Sequence, residues 1–210
     1  MVRELIFIGG GDYRKEENLE IDKYLLTKIS KDSKILIIPF ATDKSKYVSW
    51  SAALFNNFKK YDLKHWELVE LDLPPEIIKQ QIQHSDVLFL TGGLPNLLME
   101  NFEKKEVTDI IKTFKGIIIG YSAGALVLSK DCVILPEEGH PGAEIIKGLN
   151  LAKFSTYVHY SSEHDIYLKK FSKSREIYAI TNQSALIYDG KIIKGIGEIY
   201  LFKDGIKTKF

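Results

Sequence analysis

Short apolar runs that recur along the first part of the chain constrain its fold more than any other feature. Each run is apolar on both faces and is stopped by Gly or Pro, which is typical of buried strands in a parallel sheet. The stretches between the runs carry apolar residues at helical spacing and therefore predict crossover helices. The clearest runs cover residues 5–8, 35–38, 87–90 and 117–119. The sequence predicts an α/β fold, a three-layer sandwich with a mainly parallel sheet whose ligand site lies at the carboxyl ends of the strands.

The C-terminal part of the chain has a different pattern. From residue 176 onward, short apolar runs are separated by turn pairs such as Asp189-Gly190 and Asp204-Gly205. This spacing predicts antiparallel strands joined by tight turns. We expect a β-meander that closes one side of the same sheet system. Because no repeat or linker divides the chain, residues 1–210 are expected to form a single domain.

The composition argues against several classes of protein. The chain has 29 Lys and Arg against 28 Asp and Glu, a net charge of +1, and it has no basic stripe that would follow phosphates. Nucleic acid is therefore not an expected partner. No apolar run approaches the roughly 18 residues that span a bilayer, so no membrane span is expected. With a single cysteine, Cys132, and no signal-peptide pattern, the expected compartment is a reducing cytoplasm.

The most informative motif is a Gly-x-Ser-x-Gly turn formed by Gly120, Ser122 and Gly124. A buried strand precedes it and an apparent helix follows it, which is the context of a nucleophile elbow. In such an elbow a tight turn exposes the serine at the top of the sheet, and the N–H of Ala123 would point at an oxyanion. The alternative is a serine that only caps the helix.

A nucleophilic serine needs a general base, and the chain has five histidines. His65 and His84 lie close to the starts of strands, and His164 resembles part of a helix start. His140 lies in a Gly/Pro loop, which suits substrate contacts better than a general base. His159 ends a β-prone run and would be held rigidly, so it is the predicted base. The alternative is a histidine with a structural hydrogen bond.

The third member of a triad would be a carboxylate that fixes the imidazole tautomer. Glu137 and Glu138 lie between the serine and the histidine, and only one of them can face the histidine. Both could equally be solvated loop acids. A second oxyanion donor would come from Gly92-Gly93, where a buried strand ends without side chains that block a ligand, although a plain turn explains this pair as well.

Two cofactor classes can be tested against the sequence. The run Gly9-x-Gly11 resembles the start of a dinucleotide fingerprint, but Arg14 stands where the third glycine is required and no acidic residue follows at the right distance. Cys132 has no Cys or His neighbour at metal-ligand spacing. Neither a dinucleotide cofactor nor a metal is therefore expected.

Four segments together resemble the aspartyl dipeptidase (peptidase E) family of serine peptidases, relatives of cyanophycinase. They are residues 38–41, 91–96, 120–125 and 158–160. The resemblance covers nearly the whole chain in order. It implies a class I glutamine amidotransferase-like α/β sandwich with a Ser-His-Asp or Ser-His-Glu triad.

Carried over position by position, the resemblance implies Ser122 as nucleophile and His159 as base. It implies Glu137 as the orienting acid and the N–H groups of Gly93 and Ala123 as the oxyanion hole. The implied activity is hydrolysis of short peptides, in particular dipeptides with an N-terminal Asp, through an acyl-enzyme on the serine and without a cofactor.

Two other functions stay open at this point. An α/β-hydrolase esterase uses the same serine motif, although the chain lacks a His-Gly-Gly-Gly oxyanion segment and leaves little room between Ser122 and His159. A non-catalytic relative could use the cleft for binding or regulation. An acidic substrate would need a cation at the cleft, for which Arg175 or a lysine is a candidate. The sequence is compatible with a monomer or a homodimer.

Overall fold

The computed structural model describes residues 4–136 and 142–210, apart from the side chains of residues 48–50 and 57–58. The strands in these ranges are β1 (Glu4–Ile8), β2 (Lys34–Ile38), β3 (His65–Leu68), β4 (Val87–Leu90), β5 (Ile117–Tyr121), β6 (Asp131–Ile134), β7 (Glu144–Lys147), β8 (Ser155–Tyr157), β9 (Ile177–Ile180), β10 (Ala185–Tyr188), β11 (Ile193–Ile196), β12 (Ile199–Lys203) and β13 (Ile206–Lys209). The α-helices are α1 (Leu19–Leu26), α2 (Tyr47–Lys59), α3 (Pro75–Gln83), α4 (Pro95–Lys104), α5 (Thr108–Thr113), α6 (Ala123–Leu128) and α7 (Asp165–Phe171).

A seven-stranded sheet forms the centre of the N-terminal part, in the order β11-β10-β1-β5-β4-β2-β3. Strands β1, β5, β4, β2 and β3 run parallel to their neighbours in this group, and β10 and β11 are antiparallel additions at one edge. The predicted mixed α/β fold with a mainly parallel sheet is confirmed.

Helices cover both faces of this sheet. Along β1, Leu5 and Phe7 join a core that includes residues of α3, α4, α5 and α6, whereas Ile6 and Ile8 join a core that includes residues of α1 and α2. Successive side chains of a strand point to opposite faces, so a strand covered on both sides must be apolar at every position. The continuous apolar runs in the sequence follow from this requirement.

A second, six-stranded sheet has the order β13-β12-β9-β8-β6-β7. The strands of the predicted meander are divided between the two sheets. Strands β9, β12 and β13 belong to the second sheet, whereas β10 and β11 belong to the first. The expected continuous meander on one sheet system is therefore wrong. Strands β9 and β10 are both short and apolar on both faces, a pattern that indicates burial but does not identify the neighbouring strand.

Helix α6 lies between the two sheets. All six of its residues are buried, and it contacts β5, β1 and β4 of the first sheet and β6 and β8 of the second. Its small and aliphatic residues allow this close packing. The residue before the helix, Ser122, consequently lies where the carboxyl ends of strands from both sheets meet. Among the described residues no helix is long and apolar enough to cross a membrane.

Candidate active site

The turn from β5 to α6 holds Ser122 in an unusual backbone conformation, with φ 52° and ψ −110°. The Ser122 N–H donates to the Ile8 carbonyl at 3.0 Å. The glycines on either side leave no room for a side chain. A Cβ on Gly120 would lie 2.4 Å from the Gly124 oxygen, and one on Gly124 would lie 2.2 Å from the Leu90 oxygen. The tight turn therefore requires both glycines of the motif.

His159 follows β8 in the second sheet and reaches Ser122 in the first. Its backbone has φ 52°, and its N–H donates to the Gly9 carbonyl at 3.0 Å. The imidazole Nε2 lies 2.8 Å from Ser122 Oγ. The structure thus brings the predicted serine and the predicted histidine into hydrogen-bond contact. If the hydroxyl donates to Nε2, the ring proton of a neutral imidazole must be on Nδ1.

The other ring nitrogen contacts a residue that the sequence reasoning missed. His159 Nδ1 lies 2.7 Å from Asn182 Oδ1. Asn182 lies just after β9, within the polar run 181–184 between two apolar strands. That polar run at a strand end is the signal that could have identified it.

Glu137, its alternative Glu138 and the loop histidine His140 all lie outside the described residues. The role that the family resemblance implies for Glu137 therefore stays a prediction.

A small cavity of about 90 Å³ contains the two predicted oxyanion donors. Gly93 and Ala123 line it together with Ser122 and His159. Within the part of the chain that the structure describes, neither donor N–H is bonded to a backbone carbonyl. The backbone of Gly93 has φ 138°, and a Cβ there would lie 2.1 Å from the Ala41 oxygen. The oxyanion role of these two groups stays a prediction.

A larger cavity of about 410 Å³ lies on another side of His159 and is charged. Its lining includes Asp12, Arg14, Glu17 and Asn182. The Arg14 guanidinium donates twice to Asp12, from Nε to Oδ1 at 3.0 Å and from its terminal nitrogen to Oδ2 at 3.1 Å. Hydrogen bonds from the Arg14 side chain and N–H lower the pKa of Asp12, so this carboxyl group is ionised at neutral pH. The cavity therefore presents a guanidinium next to carboxylates.

Several polar residues considered in the sequence lie away from this site. His65 begins β3, and His84 directly follows α3. His164 belongs to a 3₁₀ turn that precedes α7. Arg175 pairs with Asp131 at 2.9 Å at the amino end of β6, opposite the carboxyl ends that hold the site. Arg175 is thus placed away from any substrate bound at Ser122.

A groove of about 520 Å³ is larger than either cavity at the site. It runs beside β3 and α3, and its lining includes Lys34 and His65, the first residues of β2 and β3. Because the parallel strands begin there, the groove opens at the edge of the sheet opposite Ser122. The groove is therefore not the candidate active site, although its volume is larger than that of either cavity at the site.

No group of three His, Cys, Asp or Glu side chains in residues 4–136 and 142–210 is arranged to hold a metal ion. Cys132 is buried, and burial raises the pKa of its thiol to about 12. The thiol is therefore uncharged at neutral pH and is not a reactive nucleophile.

An α/β fold with a serine and a histidine in contact at the strand ends is an arrangement that serine hydrolases use. Two solved structures are similar in fold. A candidate peptidase E protein from Listeria monocytogenes EGD-e has 18% sequence identity and a TM-score of 0.73, over 93% of this chain and 98% of that chain. A peptidase from an acI-B1 actinobacterium has 15% identity and a TM-score of 0.65, over 100% of this chain and 94% of that chain.

Sequence comparison defines the family. No curated protein matches the chain. The model of peptidase family S51 matches residues 5–196, and the chain belongs to this family. The resemblance to the peptidase E family that the sequence motifs predicted is confirmed.

Proposed function

We propose that this protein is a serine peptidase that hydrolyses short peptides, with Ser122 as nucleophile and His159 as general base. Membership of a peptidase family supports the reaction class. The observation that carries the assignment of residues is the 2.8 Å contact between Ser122 Oγ and His159 Nε2. A serine hydroxyl is a weak nucleophile unless a neighbouring base removes its proton.

The reaction follows from this contact. His159 Nε2 accepts the hydroxyl proton while Ser122 Oγ attacks the scissile carbonyl, and the N–H groups of Gly93 and Ala123 stabilise the oxyanion. The imidazolium then gives its proton to the leaving amine, which leaves an acyl group on the serine. Water, deprotonated by the same histidine, releases the acid and restores the hydroxyl.

The charged cavity supports a preference for an N-terminal Asp. Such a residue carries an α-ammonium group, which is opposite in charge to the carboxylates of the cavity. It also carries a side-chain carboxylate, which is opposite in charge to the guanidinium of the cavity. Arg14 would bind the carboxylate through guanidinium N–H groups other than the two that donate to Asp12. Glu17, whose Oε2 accepts the Asp12 N–H at 2.8 Å, adds a negative charge for the ammonium group. We therefore propose dipeptides with an N-terminal Asp as the preferred substrates.

A substrate screen tests this proposal. Purified protein would be assayed with Asp-X, Glu-X, β-aspartyl and neutral dipeptides, and kcat/KM compared. We expect Asp-X to be cleaved best. Ser122→Ala should lose several orders of magnitude in kcat without a change in its circular dichroism spectrum.

Two outcomes would change the proposal. Near-normal hydrolysis by Ser122→Ala would overturn the assignment of the nucleophile. Cleavage of simple esters but of no peptide would favour the esterase alternative and end the peptidase proposal.

A further inference from the structure

The glycine run at the end of β1 does not serve a dinucleotide, yet it lies directly against the candidate active site. A Cβ on Gly10 would lie 2.2 Å from Asn182 Oδ1 and 2.5 Å from both Cε1 and Nδ1 of His159. We call the run 9–11 the glycine floor. At its centre, Gly10 leaves free the space that the side chain of any larger residue would take from His159 and Asn182.

Backbone hydrogen bonds tie the same segments to the glycine floor. The Gly9 carbonyl accepts from the His159 N–H, and the Gly10 carbonyl accepts from the Gln183 N–H, both at 3.0 Å. The histidine and the asparagine follow β8 and β9, which are parallel neighbours in the second sheet. The glycine floor, which follows β1 of the first sheet, thus fixes both strand ends relative to Ser122.

The contact between His159 and Asn182 favours one position of the ring proton. An amide oxygen only accepts hydrogen bonds, so the 2.7 Å contact of Asn182 Oδ1 with Nδ1 favours the tautomer with the proton on Nδ1. This leaves a lone pair on Nε2, which faces Ser122 Oγ. A neutral imidazole has only one such proton, so a second acceptor could not also form a full hydrogen bond with Nδ1–H.

We propose that Asn182, held over the glycine floor, is the residue that positions His159 in this protein. The inference rests on the proposed function and deepens it, because it places an uncharged amide where a triad has a carboxylate. An amide orients the ring and fixes its tautomer but contributes no negative charge to the imidazolium.

Kinetics of three variants test this role. Asn182→Ala should lower kcat/KM by about 100-fold, mainly through kcat, because the ring loses its orientation and tautomer. Asn182→Asp should recover activity to within about tenfold of the wild type, because a carboxylate oxygen also accepts a hydrogen bond from Nδ1–H. Asn150→Ala is the matched control, since Asn150 is exposed and its side chain accepts a bond from Lys153. It should leave kcat/KM unchanged.

A readout that needs no turnover separates this inference from the proposed function. In protein with ¹⁵N-labelled histidine, the His159 signals are identified by their loss in His159→Gln. We expect the proton on Nδ1 in the wild type and a shift toward the Nε2–H tautomer in Asn182→Ala.

The tautomer measurement decides the inference in every case. An unchanged tautomer in Asn182→Ala would overturn it even if activity fell, because the loss would then have another cause. If the wild type hydrolysed no peptide, the proposed function would fail. The NMR comparison would still show whether Asn182 sets the ring proton.

Discussion

Replacing Gly10 with alanine adds one methyl group beneath the candidate active site. The new Cβ would lie 2.2 Å from Asn182 Oδ1 and 2.5 Å from the imidazole of His159, whereas ordinary van der Waals contact begins at 3.4 Å. Both side chains would have to move by about 1 Å to relieve these contacts. The 2.7 Å bond between them, and with it the aim of Nε2 at Ser122, would be lost.

The size of the effect follows from that displacement. A misplacement of about 1 Å in a catalytic group costs about 100-fold in rate, and we expect this loss in kcat/KM for Gly10→Ala. The backbone of Gly10, with φ 144°, adds a strain of about 1–3 kcal/mol for any other residue. The melting temperature should consequently fall by several degrees.

A matched control separates strain from crowding. Gly190 also has a positive φ, 94°, but a Cβ there would meet nothing within 4 Å. Gly190→Ala should therefore lower the melting temperature and leave kcat/KM unchanged. Both variants would be measured for dipeptide hydrolysis and for thermal unfolding. A Gly10→Ala protein with kcat/KM within about threefold of the wild type would refute the role of the glycine floor.

Three further predictions concern single side chains. Because we propose that Asn182 accepts the hydrogen bond from Nδ1–H, Glu137→Gln should cost less than about tenfold in kcat/KM, and a greater loss than that of Asn182→Ala would return the orienting role to Glu137. Arg14→Ala should lower kcat/KM for Asp-X by about tenfold or more and leave neutral dipeptides unaffected, and equal losses for both would remove Arg14 from substrate recognition. Burial raises the pKa of Asp165, but hydrogen bonds from Tyr160 and Lys207 outweigh it and lower the pKa below 3.8. Asp165→Asn should thus lower the melting temperature by about 2–4 °C at pH 7, and this difference should shrink as the pH falls below about 4, where the wild-type carboxylate takes up its proton. A difference that stayed constant with pH would contradict the ion pair.

The sequence was most informative where one physical requirement decides the pattern. Strands β1, β2, β4 and β5 are covered on both faces and are therefore apolar at nearly every position, which made the parallel sheet predictable. Strands β9 and β10 have the same pattern, but their partners depend on how the two sheets pack. The division of the C-terminal strands between the sheets could not be read from the sequence for this reason.

The candidate site likewise contains residues that the sequence predicted and residues that it did not. Ser122 was predictable because its turn needs glycines at fixed spacing, and His159 because it closely follows a short strand. Asn182 was missed because its contact depends on β8 and β9 being neighbours in the second sheet. Arg14 was noted in the sequence only as the residue that interrupts a dinucleotide fingerprint. The single domain and the relation to class I glutamine amidotransferases stay predictions.

Labelling with a fluorophosphonate tests the central claim, the reactivity of Ser122, most directly. The reagent forms a covalent adduct with a serine that a neighbouring base activates, and peptide mapping by mass spectrometry locates it. We expect one adduct on the peptide that contains Ser122, no adduct in Ser122→Ala, and much slower labelling in a folded His159→Ala variant. An adduct on a different serine, or no adduct under conditions in which the protein hydrolyses peptides, would contradict the account.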